Sequence, residues 1–132
     1  MTTATVEKQD HALLNAKAHL ESIIELHKDY SNSEEIDRIE EEAQASVLSV
    51  EVSSSDWQPV GNEFKATEGR LLLSTGGPAC HIIFELDEYG QPAGNTTIQH
   101  QDWGTPWISL EINDEEREAL DWFTTLFFYG EY

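Results

Sequence analysis

Arg70-Leu71-Leu72-Leu73-Ser74 runs into Gly76-Gly77-Pro78 and out again through Cys80-His81-Ile82-Ile83-Phe84-Glu85-Leu86. Apolar, β-branched and aromatic residues here lie on either side of a Gly-Pro turn. Glycine in that turn permits positive φ and proline restricts the residue before it. The pattern predicts two strands, Arg70 to Ser74 and Cys80 to Leu86, joined tightly. Similar runs extend outward at Phe64 to Thr67, Thr96 to Gln101 and Trp107 to Ile112. Their connections fall at Glu68-Gly69, Asp87 to Gly94 and Gly104-Thr105-Pro106. Short, evenly spaced strands with tight turns predict an antiparallel meander rather than βαβ units.

The chain before this region reads as helical. Val6 to Lys28 contains neither Gly nor Pro, and Leu13, Ala16, Leu20, Ile23, Ile24 and Tyr30 recur at helical spacing. Ser31-Asn32-Ser33 breaks that pattern, and Ser33 suits the N-cap of a second helix opening on Glu34-Glu35 and burying Ile36, Ile39, Ala43 and Val47. Two helices joined so closely predict an antiparallel hairpin. Ser46 to Ser55 reads as either a strand or an extended linker. At the other end, Asn113 followed by Glu116 forms an Asn version of the capping box, with Ala119, Leu120, Phe123, Phe127 and Trp122 supplying the buried face. The expectation is an α+β domain over residues 1–132: a helical hairpin (6–47), a mainly β region of four or five antiparallel strands (48–112), and a C-terminal helix (113–129) packed on the sheet.

The 132 residues include 7 Lys+Arg against 26 Asp+Glu, a net charge of −19. That charge disfavours direct binding to nucleic acid or an anionic membrane and favours a basic protein partner. With 39% hydrophobic residues the chain still has material for a core. A single cysteine, Cys80, permits no intrachain disulfide and suits a reducing compartment. The absence of a long apolar run or a signal-like N-terminus predicts a soluble, unexported protein of the cytoplasm.

Glu34, Glu35, Asp37, Glu40, Glu41 and Glu42 surround one base, Arg38, so this helical segment carries −5. Like charges at helical spacing cost stability, which leaves solubility or a basic partner as the reason for them. Asp114, Glu115, Glu116, Glu118 and Asp121 form a second cluster that capping and the helix dipole explain only in part. In Gln101-Asp102-Trp103-Gly104-Thr105-Pro106-Trp107, two indoles and a carboxylate flank a Gly and a Pro. This reads either as a strand-to-strand turn whose rings cover the core, with Asp102 fixing the turn, or as a platform for a partner's Arg or Lys through Asp102, Trp103 and Trp107.

No residue set indicates an enzyme. Gly76-Gly77-Pro78 lacks the lysine and following helix of a phosphate loop. His81, His100 and Asp102 could contribute to a metal or acid–base site, and His100 and Asp102 at i, i+2 would share a strand face, but no motif indicates a third ligand beside that pair, and adjacent Cys80 and His81 would point to opposite faces of a strand. His11, His19 and His27 are too far apart to chelate and read as polar-face residues. The expectation is therefore no cofactor, no metal and no catalytic residue.

Arg70-Leu-Leu-Leu-Ser-Thr-Gly-Gly-Pro-Ala79, Glu85-Leu-Asp-Glu-Tyr-Gly-Gln-Pro92 and Gln101-Asp-Trp-Gly-Thr-Pro-Trp107 together resemble small acidic accessory proteins of bacterial phages, prophages and conjugative elements, over roughly residues 70–130. The resemblance implies a mobile-element origin and supplies no catalytic residues. By analogy of functional class it suggests an inhibitor of host defence, anti-CRISPR or antirestriction in kind, that blocks a basic nucleic-acid-handling complex by imitating the charge of DNA. The alternative is a phage structural or regulatory adaptor that holds its partner through the Trp103/Trp107 turn.

Overall fold

A computed structural model of the chain describes residues 3–32, 34–55, 57–61 and 64–130. Its elements are α1 (Thr3–Asn32), α2 (Ile36–Ala45), β1 (Ser49–Ser53), β2 (Glu68–Ser74), β3 (Ala79–Glu85), β4 (Thr97–Gln101), β5 (Ile108–Ser109) and α3 (Asp114–Thr124). The strands form one antiparallel sheet in chain order, β1-β2-β3-β4-β5. The α+β architecture is thus a five-strand meander with helices before and after it. Ser46 to Ser55 contributes a strand, β1, rather than a linker.

Register decides which side chains meet the helices. Ile82 faces Ile98, and Cys80 faces His100. Because successive residues of a strand alternate faces, these residues share one surface with Leu71, Leu73 and Phe84, all buried. Ala16, Leu20 and Ile23 of α1, Ala43 of α2 and Ala119, Leu120 and Phe123 of α3 close the same core. Truncating Leu120 or Ile82, both fully buried, should cost about 2–5 kcal/mol. The opposite sheet face carries Glu51, Arg70, His81, Ile83 and Gln99 in matching register.

Several local expectations are corrected. Ser31 and Asn32 prolong α1 because their side chains bond back to the carbonyls of His27 (3.0 Å) and Lys28 (2.9 Å), satisfying the last turn. The expected cap Ser33 lies outside the described residues. Glu35 occupies the N-cap position of α2 without a side-chain cap bond, and Asp37 is the acid of its first turn. Phe64 to Thr67 is not a strand, and Glu68-Gly69 is not a turn but the start of β2. Gly69 is there because the Phe84 ring fills the space a Cβ would need, 2.6 Å from its Cε2.

β5 is shorter than expected, Ile108–Ser109. Trp107, expected to begin that strand, instead lays its ring on His81. The capping box of α3 forms in both directions: Glu116 N donates to Asn113 Oδ1 (2.8 Å), and Asn113 N donates to Glu116 Oε1 (3.0 Å). The helix ends at Thr124 rather than near Tyr129. Thr124 and Thr125 donate their hydroxyls to the carbonyls of Asp121 and Trp122, and the buried Tyr129 donates its own to Thr124 O (2.6 Å). These bonds satisfy carbonyls the last turn leaves open and fold the chain back onto Phe84, whose ring meets Tyr129 edge-on at 5.2 Å.

Candidate functional site

Burial of Ile39 and Ala43 fixes the rotation of α2. It leaves Glu34, Glu35, Asp37, Glu41 and Glu42 exposed and Glu40 half-buried. Arg38 Nε meets Glu35 Oε2 at 2.7 Å and Nη1 meets Glu42 Oε2 at 3.2 Å. Glu34 lies before the helix, and the acid that Arg38 meets at the start of α2 is Glu35. The hydrogen bond Arg38 donates to Glu35, the charge of Glu35, and then those of Glu42 and Asp29 hold the Arg38 pKa above its ordinary value. Asp29 brings the end of α1 into the same electrostatic field.

Pairs this exposed contribute little to stability. Glu34, Asp37, Glu40 and Glu41 make no ion pair among the described residues. In the second cluster, Glu116 completes the cap, and Asp121 accepts from the Thr96 hydroxyl. Asp114 and Glu115 stand in the first turn, where the helix dipole favours them. Folding therefore gives most of this cluster a role; of the α2 acids, Glu35 and Glu42 pair with Arg38 and Asp37 stands in the first turn, which leaves Glu34, Glu40 and Glu41 without one of these roles.

The Trp turn is built around Asp102. Asp102 Oδ1 accepts from Trp103 N (2.7 Å), Asp102 N donates to Thr105 Oγ1 (2.8 Å), and Thr105 N donates to Asp102 O (3.0 Å). Gly104 at φ +77° completes the bend. Asp102 is buried, and so fixes the turn, one of its two expected roles.

The two indoles do not form one platform. Trp107 stacks on His81 with centroids 3.8 Å apart, and its Nε1 donates to the Gln101 amide oxygen (3.0 Å) once that amide is oriented so that its nitrogen meets Thr105 O (3.1 Å). It caps the polar sheet face, not the hydrophobic core. Trp103, by contrast, is 73% exposed. With Asp102, Gln101 and Gly104 it lines a cleft of about 310 Å³ whose other wall is Thr75, Gly76, Gly77 and Ala79. The two turns quoted from the sequence thus meet in space, and none of the α2 carboxylates lines their cleft.

The histidines are not brought together. His81 pairs with Gln99 across the polar face, Nε2 to Oε1 2.7 Å, while His100 sits opposite Cys80 on the core face. Strand alternation thus separates two members of the expected His81/His100/Asp102 set. Among the described residues no group of three His, Cys, Asp or Glu is placed to hold a metal.

Burial lowers the pKa of His81, against the opposing effect of the bond its ring donates to Gln99, with Arg70 lowering it further and Glu51 raising it. Burial alone lowers those of His19 and His100. The Cys80 thiol is pushed up to about 12 by burial, so it remains protonated and a poor nucleophile. His19 and His27 are not polar-face residues as expected. Both are half-buried, and His27 packs its ring 5.1 Å from that of Trp122. The three-residue spacing of His27 to Tyr30, which also meets Trp122 at 5.1 Å, is the helical signal that could have revealed this.

The chain has no match among family models, curated proteins or solved structures.

Proposed function

We propose that this protein is a non-enzymatic inhibitor of mobile-element origin that occupies the basic surface of a nucleic-acid-handling host defence complex, most concretely a CRISPR effector. The observation that carries the reading is the α2 surface, where the exposed Glu34, Asp37 and Glu41 and the half-buried Glu40 have no ion pair among the described residues. Such charges oppose one another in the folded chain. Neighbours three and four apart on a helix lie about 5–6 Å from each other, a spacing at which a channel lined by Lys and Arg can be met by several carboxylates at once. The field of a −19 chain would speed association and make it salt-sensitive.

The test is competition with DNA for the effector at several salt concentrations, comparing Asp37→Lys/Glu40→Lys/Glu41→Lys with Glu85→Lys/Glu88→Lys/Glu111→Lys. The control residues are exposed, and both variants change net charge equally. Loss confined to the α2 variant supports charge mimicry by this helix. Equal loss in both would mean that only bulk charge acts.

A second reading is favoured by one observation, the exposure of Trp103 beside the Asp102 and Gly76-Gly77 cleft. There the protein is an adaptor, and the indole anchors a partner segment as aromatic hot spots do.

A further inference from the structure

β1 ends the sheet. An edge strand leaves backbone N–H and C=O groups unpaired, and proteins usually guard such edges with Lys, Pro or an inward charge. Ser49-Val50-Glu51-Val52-Ser53 has neither Lys nor Pro. Its one charge, Glu51, is held by Arg70 Nη2 at 2.6 Å, and the two lie opposite each other on the polar sheet face. In a chain where 25% of residues are charged, Glu51 is the sole ionisable residue between Gln44 and Ser55.

On the helix side of this edge, Leu48 and Val50 line a groove of about 560 Å³ with Leu126, Phe127 and Phe128. Leu48 is 60% exposed and Phe128 73%. The acidic surfaces suit a basic partner, but this groove has no charged residue in its lining: its apolar side chains are joined only by Gln44, Ser49 and Thr125.

We propose that β1 pairs antiparallel with β1 of a second copy of this chain, about a two-fold axis through Val50. Opposed residues of an antiparallel pair share a face, so the axis determines every pair. An axis through Glu51 would set two carboxylates against each other, and one through Val52 would set Val50 against Ser54. The axis through Val50 sets Val50 against its own copy, Ser49 against Glu51 and Leu48 against Val52. All apolar members then fall on the helix side, beside Phe127 and Phe128, and no like charges are directly opposed; the two Glu51 are diagonal neighbours, each held by its own Arg70.

An interface of one strand and its rim is small by the standard of stable complexes, and two chains of −19 repel. The dimer is therefore concentration-dependent and strengthens as salt screens that repulsion. Binding of a basic partner to α2 has the opposite salt dependence.

Sedimentation velocity of the full chain across concentration and salt, with site-specific cross-linking, tests the proposal. Cys80, the natural thiol, is fully buried, so an introduced cysteine is the reactive one. Val50→Cys should cross-link to its copy through a disulfide or a short bis-thiol reagent, since directly opposed Cβ atoms lie roughly 4.5–5.5 Å apart. Leu48→Cys should not, because its copy is displaced by four residues, about 13 Å along the strand.

Val50→Lys should abolish the dimer while leaving the melting temperature within a few degrees of the parent. Should that variant fail to fold, the cysteine pair decides alone. A monomer at every concentration and salt, a dimer that salt dissociates, or Leu48→Cys cross-linking as fast as Val50→Cys would each overturn the proposal.

Discussion

Replacing Gly69 by Ala places a methyl group 2.6 Å from Phe84 Cε2 and 2.7 Å from Cζ, far inside van der Waals contact. The ring has little room to retreat, since Phe84 is 1% exposed and Tyr129 meets it edge-on at 5.2 Å. Overpacking of this kind costs about 1–3 kcal/mol. Against it, Ala in a strand recovers about 0.5–1 kcal/mol of the conformational entropy that Gly loses. The expected net loss is about 1–2 kcal/mol. For 132 residues, an unfolding entropy of about 2.1 cal/mol/K per residue converts each kcal/mol to about 4 °C, so the melting temperature should fall by about 4–8 °C. Thermal and urea unfolding of Gly69→Ala, Phe84→Leu and the double variant form the assay. With the smaller, flexible Leu at position 84, the added methyl should be neutral or stabilising, giving a coupling of about 1–3 kcal/mol. If Gly69→Ala costs the same in both backgrounds, the close approach to Phe84 is not why this strand carries a glycine.

The two tryptophans should separate in experiment as they do in space. Trp107→Ala removes the ring stacked on His81 and should cost about 1–3 kcal/mol in urea unfolding. Trp103→Ala, at an exposed site, should stay within about 0.5 kcal/mol; if it nonetheless weakens capture of the effector about 30-fold at unchanged stability, the adaptor reading replaces charge mimicry. Acid should destabilise the fold through its buried histidines. His19, His81 and His100 have folded pKa values below the ordinary 6.5, so the unfolded chain takes up their protons first. Their stabilising contribution is present above pH 6.5 and is lost as pH falls from there towards the lowered folded values, at up to about 1.4 kcal/mol per pH unit per histidine. A urea midpoint that stays flat through this window would contradict the burial of neutral imidazoles.

Features set by interactions within a few residues were legible in the chain. Asn113 and Glu116 are three apart and cap one another wherever that helix forms. The alternation around Arg70 to Leu86 and the helical spacing of Ala16, Leu20 and Ile23 declare which faces must be buried, and from these the α+β order follows. The α2 acids were also readable, because a charge no fold requires ends up in solvent. Other features were decided across the sequence. Gly69 looked like a turn residue because glycine has the same letter in a bend and beneath an aromatic ring; only the packing of Phe84 from the neighbouring strand distinguishes them. The tryptophans are four apart, yet one is drawn onto His81 and the other left outside, because the β3 register, not their own segment, places the histidine. That register also puts His81 and His100 on opposite faces and carries Gly76 and Gly77 to Asp102 and Trp103. Local periodicity specifies a residue's face, but its neighbours there come from strand pairing and layer contact, in which sequence distance carries no signal.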